Sequence, residues 1–499
     1  MKKLMLNTVT SLLLQITSVL CGFILPRAIL VFYGSDVNGL ISSITQLLHG
    51  ISLLEMGIGA VVQSNLYKPL VEGDFFKVNK ILVSSDKFFR KVAHVLVCYV
   101  VFLCVMYPQF VKNNFDNLYT VILILSMSIS MFAQYYFGIS NLLLLTADQK
   151  GYIHYCAGIF CVIANTAICV LLIKAGAGIH VVKLATSLIF LIKPLIMYIY
   201  VKNNYKFNRK IKIREEVIKQ KWNGLAQHMF TVVFEGAGAI ILTIFSALEN
   251  VSVYAVYNMV VMGLRQLIIS ATNGIQAYFG AFWASKTREE CTQVFEFIVW
   301  LFFLITTVLF GVSSNLILSF VKVYTNGIKD ANYIVPGFAY LLILANSLQC
   351  YRLPYSILIR AANKYKETQS SYIISVIIDI LISIVGVKTI GLMGVAVGMV
   401  FSMLYHTVYL MIYCNKYLIF VQWRKIFKLV ISNLIIICIS RIISSFRPLE
   451  IDNYISWCMV GGITFCIWIS VSIVINICFY KNFVRLILIK AKSLRRVGA

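Results

Sequence analysis

Basic residues along this chain follow a regular alternation between long apolar stretches. Such stretches, each long enough for a membrane-spanning helix, recur about fourteen times from end to end. The short segments between them are alternately rich and poor in Lys and Arg, and most of the 44 basic residues fall in the even-numbered segments or in the two tails. Cytoplasmic segments of multi-pass membrane proteins carry this excess. The alternation therefore predicts a polytopic membrane protein with both termini in the cytoplasm.

Composition supports the same class. Hydrophobic residues make up 60% of the 499 and charged residues 13%, whereas a soluble domain is about half apolar and about a quarter charged. The net charge of +25 is accounted for by the cytoplasmic segments, which face an anionic lipid surface, so we expect no nucleic-acid partner. The thirteen Cys residues follow no metal-ligand spacing, and we expect neither a metal site nor a resident cofactor.

The predicted spans divide the chain into two similar lobes. Residues 1–201 form the first six-helix lobe, 202–221 a basic cytoplasmic linker, and 222–415 the second six-helix lobe. Residues 416–499 add two helices and a basic cytoplasmic tail. The fold class is thus all-α, with about fourteen transmembrane helices in two pseudo-symmetric halves and a C-terminal pair, a plan that transporters build from parallel repeats.

A weak internal repeat supports the two halves. Tyr135–Lys150 aligns with Cys350–Tyr365 at an offset of 215, and each segment ends a long span with Ala and a small polar turn. The predicted external loops are short. An enzyme with an extracytoplasmic active-site domain is therefore not expected, and we predict a protein that is not an enzyme.

Several short motifs resemble those of bacterial polysaccharide repeat-unit flippases. They occur in matching order along nearly the whole chain, at Leu54–Gly59, Tyr67–Leu70 with Glu72–Asp74, Ala147–Tyr152, Ala361–Gln369 and Gly391–Gly398. Proteins of this kind are the O-antigen or capsule exporters of the Wzx type, within the multidrug/oligosaccharidyl-lipid/polysaccharide exporter superfamily.

The resemblance implies a function that composition alone does not. Such flippases move an undecaprenyl-pyrophosphate-linked oligosaccharide from the inner to the outer leaflet of the bacterial cytoplasmic membrane by alternating access. The implied partners are this lipid-linked oligosaccharide and membrane lipids, together with a polysaccharide polymerase and a chain-length regulator.

Four basic residues within spans are candidates for binding the pyrophosphate. A charged side chain in the bilayer costs roughly 2.5–3.5 kcal/mol on insertion scales, so it needs a partner or a watery cavity. Arg guanidinium groups bind phosphates through charge-assisted, often bidentate hydrogen bonds. We predict that these cations line a wet central cavity, the alternatives being interfacial anchoring and structural ion pairs: Arg27, Lys193, Arg265 and Arg352.

Three acidic residues within spans are candidates for ion coupling. Burial raises the pKa of a carboxyl group, which suits binding and release of a proton near neutral pH. We predict that Glu55, Glu235 and Asp379 couple transport to H⁺ or Na⁺. The alternatives are an ion pair of Glu235 with Arg27 or Arg265, and an inter-helix hydrogen bond for Asp379.

Two other functions compete with the flippase. A cation-coupled exporter of small organic molecules would favour an acidic, aromatic cavity, whereas the spans hold four candidate cations against three acids. A polysaccharide polymerase-type membrane glycosyltransferase would be expected to carry a large external loop, and the sequence has none of that length.

Overall fold

Helices account for the regular secondary structure of the chain. The computed structural model describes residues 2–55, 58–110, 115–205, 225–446 and 451–497, and within these ranges it contains helices and no strand. The predicted linker 202–221 lies mostly outside the described residues. The helices are α1 Lys2–His49, α2 Ile58–Glu72, α3 Phe75–Phe110, α4 Asn117–Ala133, α5 Ile139–Ala147, α6 Tyr152–Lys174, α7 Ile179–Asn204, α8 Leu225–Phe245, α9 Leu248–Ser285, α10 Arg288–Tyr324, α11 Pro336–Ala361, α12 Tyr365–Ile390, α13 Leu392–Tyr417, α14 Trp423–Ser445 and α15 Tyr454–Val497.

The all-helical, polytopic fold class is confirmed. Within the described ranges, eleven helical stretches are long and apolar enough to cross a membrane, judged by length and composition. Two further predicted spans, α8 and α11, fall outside these eleven. Many large apolar side chains are exposed on the helices, among them Leu20, Val101, Leu171, Leu381 and Met459. Apolar surface on this scale is typical of contact with lipid.

Helix α1 holds the first predicted span and the start of the second, and a break at Gly34 divides the two. Gly34 has φ 85° and ψ 177°, a backbone conformation that residues with a Cβ rarely adopt. The next residue starts a new helical segment, where the Ser35 N–H and hydroxyl each donate a 2.6 Å hydrogen bond to the carboxylate of Asp330. The boundary between the first two apolar stretches is therefore a kink capped by an acidic side chain.

The described chain divides into two compact units. The N-terminal unit comprises residues 1–255 and 327–331, and the C-terminal unit comprises 256–326 and 332–499. Helix α8 thus belongs to the N-terminal unit, and the boundary falls within α9. The lobe boundaries inferred from the sequence, at 201 and 222, stay a prediction.

The internal repeat is visible in two turns. Gln149 (φ 56°) and Asn363 (φ 53°) are the non-glycine residues with positive φ in the described ranges, and they follow α5 and α11 respectively. They lie 214 positions apart, so the backbone repeat is shifted by one residue from the offset of 215 expected from the sequence. The same hydrogen bonds close both turns, from N–H to C=O: Asp148 to Leu144, Gln149 to Thr146 and Lys150 to Leu145, matched by Ala362 to Leu358, Asn363 to Arg360 and Lys364 to Ile359.

The first of these turns is tied to the end of α7. Lys150 Nζ lies 2.8 Å from Asp148 Oδ2 and donates a 3.0 Å hydrogen bond to the hydroxyl of Tyr205, which in turn donates to Asp148. Burial lowers the pKa of the Lys150 ammonium, but the hydrogen bonds to Asp148 and Tyr205 outweigh burial and raise that pKa above its usual value. Lys150 therefore stays charged at physiological pH, and the turn keeps its ion pair.

Glycines allow α12 and α13 to pack closely. A Cβ added at Gly394 would lie 2.0 Å from the carbonyl carbon of Gly386, so only hydrogen fits between the two backbones. Small residues have this role at many membrane helix interfaces.

Gly394→Val is therefore expected to separate α12 from α13 and to destabilise the protein by about 3 kcal/mol, since overpacking a close contact costs up to this amount. The matched control is Gly462→Val, because Gly462 is exposed on α15 and a Cβ there meets nothing within 4 Å. Thermal unfolding of the two purified variants in detergent would measure the difference. Equal stability of both variants would contradict the close packing.

Candidate functional site

Arg265 is held against α11 inside the C-terminal unit. Its side chain on α9 is only 3% exposed. Nη1 donates to Gln349 Oε1 at 2.8 Å and to Asn346 Oδ1 at 3.3 Å. The two amides are three residues apart and share one face of α11. This pair of neutral acceptors fixes the plane of a buried guanidinium, so Arg265 does not face lipid.

Two more arginines lie on α11 itself. Arg352 is 6% exposed, donates from Nη1 to Ser356 Oγ at 3.3 Å, and has its guanidinium carbon 5.9 Å from the ring centroid of Tyr372. Arg360 donates to Gln276 Oε1 on α9 at 2.8 Å. Arg352 and Arg360 repel each other electrostatically. Ser356 and Gln276, which accept these hydrogen bonds from Arg352 and Arg360, are both neutral.

These three side chains, Arg265, Arg352 and Arg360, are called here the arginine cluster. Cys350 on α11 lies within the electrostatic field of both Arg265 and Arg352, which places the two predicted cations in the same part of the C-terminal unit. Arg360 was missed by sequence reasoning. Its position two turns after Arg352, on the helix with several buried amides, was the available signal. Arg265 and Arg352 are buried and Arg360 is half-buried. Guanidinium groups bind polyanions through their paired donors, and binding of a polyanion by this cluster stays a prediction.

A second group of polar side chains lies in the N-terminal unit, around Glu55. Glu55 ends a short 3₁₀ turn, Gly50–Glu55, that follows α1. The hydroxyl of buried Tyr135 donates to Glu55 Oε1 at 2.5 Å. Tyr135 belongs to a π-helical turn, Gln134–Gly138, between α4 and α5. Such turns inside α-helices occur frequently at functional sites.

Glu235 joins this group from α8. His49, the last residue of α1, interacts electrostatically with both Glu235 and Glu55. The residue after Glu235 is Gly236, and a Cβ added there would lie 3.4 Å from Gln46 Oε1 on α1. The small residue therefore lets α8 approach α1. We call His49, Glu55, Tyr135 and Glu235 the carboxylate cluster.

Arg27 and Lys193 also belong to the N-terminal unit. Arg27 is half-buried on α1, directly after Pro26. Lys193 is half-buried on α7 beside buried Pro194, and its electrostatic neighbours on α6 are His154 and Cys161. The four predicted cations are thus divided between the two units, and their convergence on one cavity stays a prediction.

Asp379 lies apart from the other predicted acids, in the C-terminal unit. It is 3% exposed on α12 and accepts a 3.4 Å hydrogen bond from Ser383 Oγ. Gly398 on α13 packs there, since a Cβ added to it would lie 2.8 Å from the Asp379 carbonyl oxygen. The hydrogen bond to Ser383 lies within α12, so the inter-helix hydrogen bond given as the alternative for Asp379 stays a prediction. Ion coupling through Asp379 stays a prediction.

The described residues contain no cluster of metal ligands. No group of three or more His, Cys, Asp or Glu side chains is placed there to hold a metal ion.

Comparison with known proteins gives a fold. No family model matches the chain, and no curated protein sequence is similar to it. Among solved structures, it resembles the lipid II flippase MurJ in an inward closed conformation, with a TM-score of 0.71, 12% identity, and coverage of 96% of this chain and 100% of that chain.

Multidrug transporters also share the fold. An inward-facing MATE transporter of the MOP superfamily matches with a TM-score of 0.64 and 13% identity, over 80% of this chain and 93% of that chain. A MOP superfamily transporter from Pyrococcus furiosus matches with a TM-score of 0.58 and 14% identity, over 82% and 94%. The chain therefore has the polytopic helical fold that a lipid II flippase and MATE transporters of the MOP superfamily share.

Proposed function

We propose that this protein is a flippase that moves an undecaprenyl-pyrophosphate-linked oligosaccharide repeat unit across the bacterial cytoplasmic membrane by alternating access. The observation that carries the proposal is the arginine cluster, in which Arg265 and Arg352 are buried, within a fold that a lipid II flippase shares. The alternation of basic residues supports an orientation with both termini in the cytoplasm.

The arginine cluster matches the chemistry of the headgroup. A diphosphate and its sugars cannot cross hydrocarbon unaided, because each charge costs several kcal/mol to desolvate without a partner. Guanidinium groups supply charge and paired donors to phosphate oxygens. Arg265 and Arg352 take this role first in the proposal, with Arg360 beside them. Arg27 and Lys193, in the N-terminal unit, stay candidates for the same role.

The carboxylate cluster supports ion coupling. Glu55 and Glu235 are both electrostatic neighbours of His49. A carboxylate, an imidazole and a hydroxyl can exchange one proton over a small change in geometry. We propose that protonation of this cluster favours either the inward-open or the outward-open state. A polysaccharide polymerase and a chain-length regulator would then receive the translocated oligosaccharide.

Reconstitution tests the flippase function directly. Purified protein in liposomes is expected to move a fluorescently labelled undecaprenyl-pyrophosphate oligosaccharide between leaflets. The transfer is measured as the increase in the fraction of label that a membrane-impermeant quencher can reach. Depletion of the protein in cells is expected to leave the lipid-linked repeat unit in the inner leaflet. Liposomes that show no transfer above protein-free controls, together with no accumulating intermediate, would contradict the proposal.

A cation-coupled exporter of small organic molecules is the second candidate. It is favoured by the carboxylate cluster and by the fold shared with MATE transporters. Efflux of a lipophilic dye cation from the same liposomes would support it. No observation on the described residues favours the glycosyltransferase alternative.

A further inference from the structure

A cavity of about 460 Å³ lies within the C-terminal unit. Side chains from α10, α11, α13, α14 and α15 line it, and none of the three clustered arginines is among them. Its walls are largely apolar and aromatic, with Phe295, Trp300, Tyr355, Met411 and Phe479 among the lining residues. The volume lies within the range of about 300–1,000 Å³ that is usual for small-molecule sites.

The charged side chains of this cavity are mainly basic. The lining includes three lysines, Lys425, Lys428 and Lys481, and one acid, Glu296. Lys425 Nζ lies 2.7 Å from Glu296 Oε1. Lys428 Nζ lies 5.1 Å from the ring centroid of Tyr480, and both Lys428 and Lys481 are exposed. One lysine is thus neutralised by the acid, while two others present positive charge beside an apolar chamber.

Helix α15 changes direction at this cavity. Tyr480 departs from helical geometry with φ −135° and ψ 41°, next to Lys481. The sequence from 481 to 497 holds six Lys or Arg residues and no acid. The apolar span of α15 therefore gives way to a strongly basic segment where the cavity lies. A basic segment following a span is attracted to anionic lipid headgroups.

We propose that this cavity binds an anionic glycerophospholipid. An acyl chain occupies the aromatic chamber, and the phosphate lies between the ammonium groups of Lys428 and Lys481. The cavity combines an apolar, aromatic volume with two cations beside Tyr480, which is complementary to a lipid that has an apolar tail and a negative headgroup. A free phosphate lacks the tail, and a zwitterionic lipid carries a compensating positive charge, so neither matches both features.

Binding of defined lipids to the purified full-length protein tests this site. Native mass spectrometry in neutral detergent is expected to detect bound phosphatidylglycerol, and the thermal unfolding temperature is expected to rise with its concentration. Phosphatidylcholine and inorganic phosphate are expected to give neither effect. Since each basic residue near an anionic surface contributes about fivefold in affinity, Lys428→Gln with Lys481→Gln should weaken binding about 25-fold.

Lys416→Gln is the matched control. Lys416 also lies over an aromatic ring, that of Tyr417 at 5.1 Å, but it does not line the cavity. Met411→Trp, which fills the chamber without changing charge, is expected to abolish binding of the lipid. Equal binding of phosphatidylcholine, or unchanged affinity in the double lysine variant, would overturn the proposal. Preferential binding of undecaprenyl phosphate would instead make the cavity a site for substrate, and would overturn it too.

Discussion

Arg265→Ala is expected to reduce export of the lipid-linked oligosaccharide by about tenfold to a hundredfold. The guanidinium is buried and oriented by Asn346 and Gln349, so in the proposed mechanism it meets the diphosphate with little loss of entropy. Hydrogen bonds to charged groups contribute about 1.5–3 kcal/mol, which corresponds to this range. Transfer in proteoliposomes and surface polysaccharide in cells would both measure the loss.

The amount of folded Arg265→Ala protein in the membrane distinguishes a loss of transport from a loss of folding. Removing Arg265 leaves two buried amide oxygens without their donor, which costs about 1–3 kcal/mol of stability. The matched control is Arg441→Ala, since Arg441 on α14 likewise donates to neutral groups, the Ser314 hydroxyl and Tyr340. It should export normally. Normal export by a stable Arg265→Ala protein would remove Arg265 from the substrate site.

Local sequence patterns predicted the helices well, because each apolar run is long enough to determine its own structure. The spans separated by short polar turns appear as helices, and the turns at Gln149 and Asn363 repeat. Helix α11 departs from the simple pattern. It does not reach the hydropathy of a candidate span, and it is the helix that carries Asn346, Gln349 and Arg352. Its reduced hydropathy was an unused signal in the sequence for the helix that carries Arg352 and the amide partners of Arg265.

Pairing between distant helices was not predictable in the same way. In a membrane protein the packed face and the lipid face of a helix are both apolar, so periodicity does not identify the neighbour. The sequence left Glu235 with Arg27 or Arg265 as a possible ion pair, but the structure adds His49 as an electrostatic neighbour of Glu235 and amides as acceptors for Arg265. His49 received no role from sequence alone, since nothing near it in the chain resembles a ligand set.

Glu235→Gln is expected to uncouple transport from the proton gradient while leaving the protein folded. Glutamine keeps the shape of the side chain but cannot take up or release a proton, so His49 and Glu55 lose the carboxylate with which they share a field. A gradient of one pH unit is worth about 1.4 kcal/mol per proton, or about tenfold in accumulation. Wild-type proteoliposomes should show this dependence, and the variant should transfer substrate at the same rate with and without the gradient.

The matched control is Glu249→Gln, which changes an exposed acid at the start of α9 and should keep the full response. If the Glu235 variant responded to the gradient as the wild type does, the coupling role of this carboxylate would be wrong, whereas the role of the arginine cluster in binding the diphosphate would be unaffected.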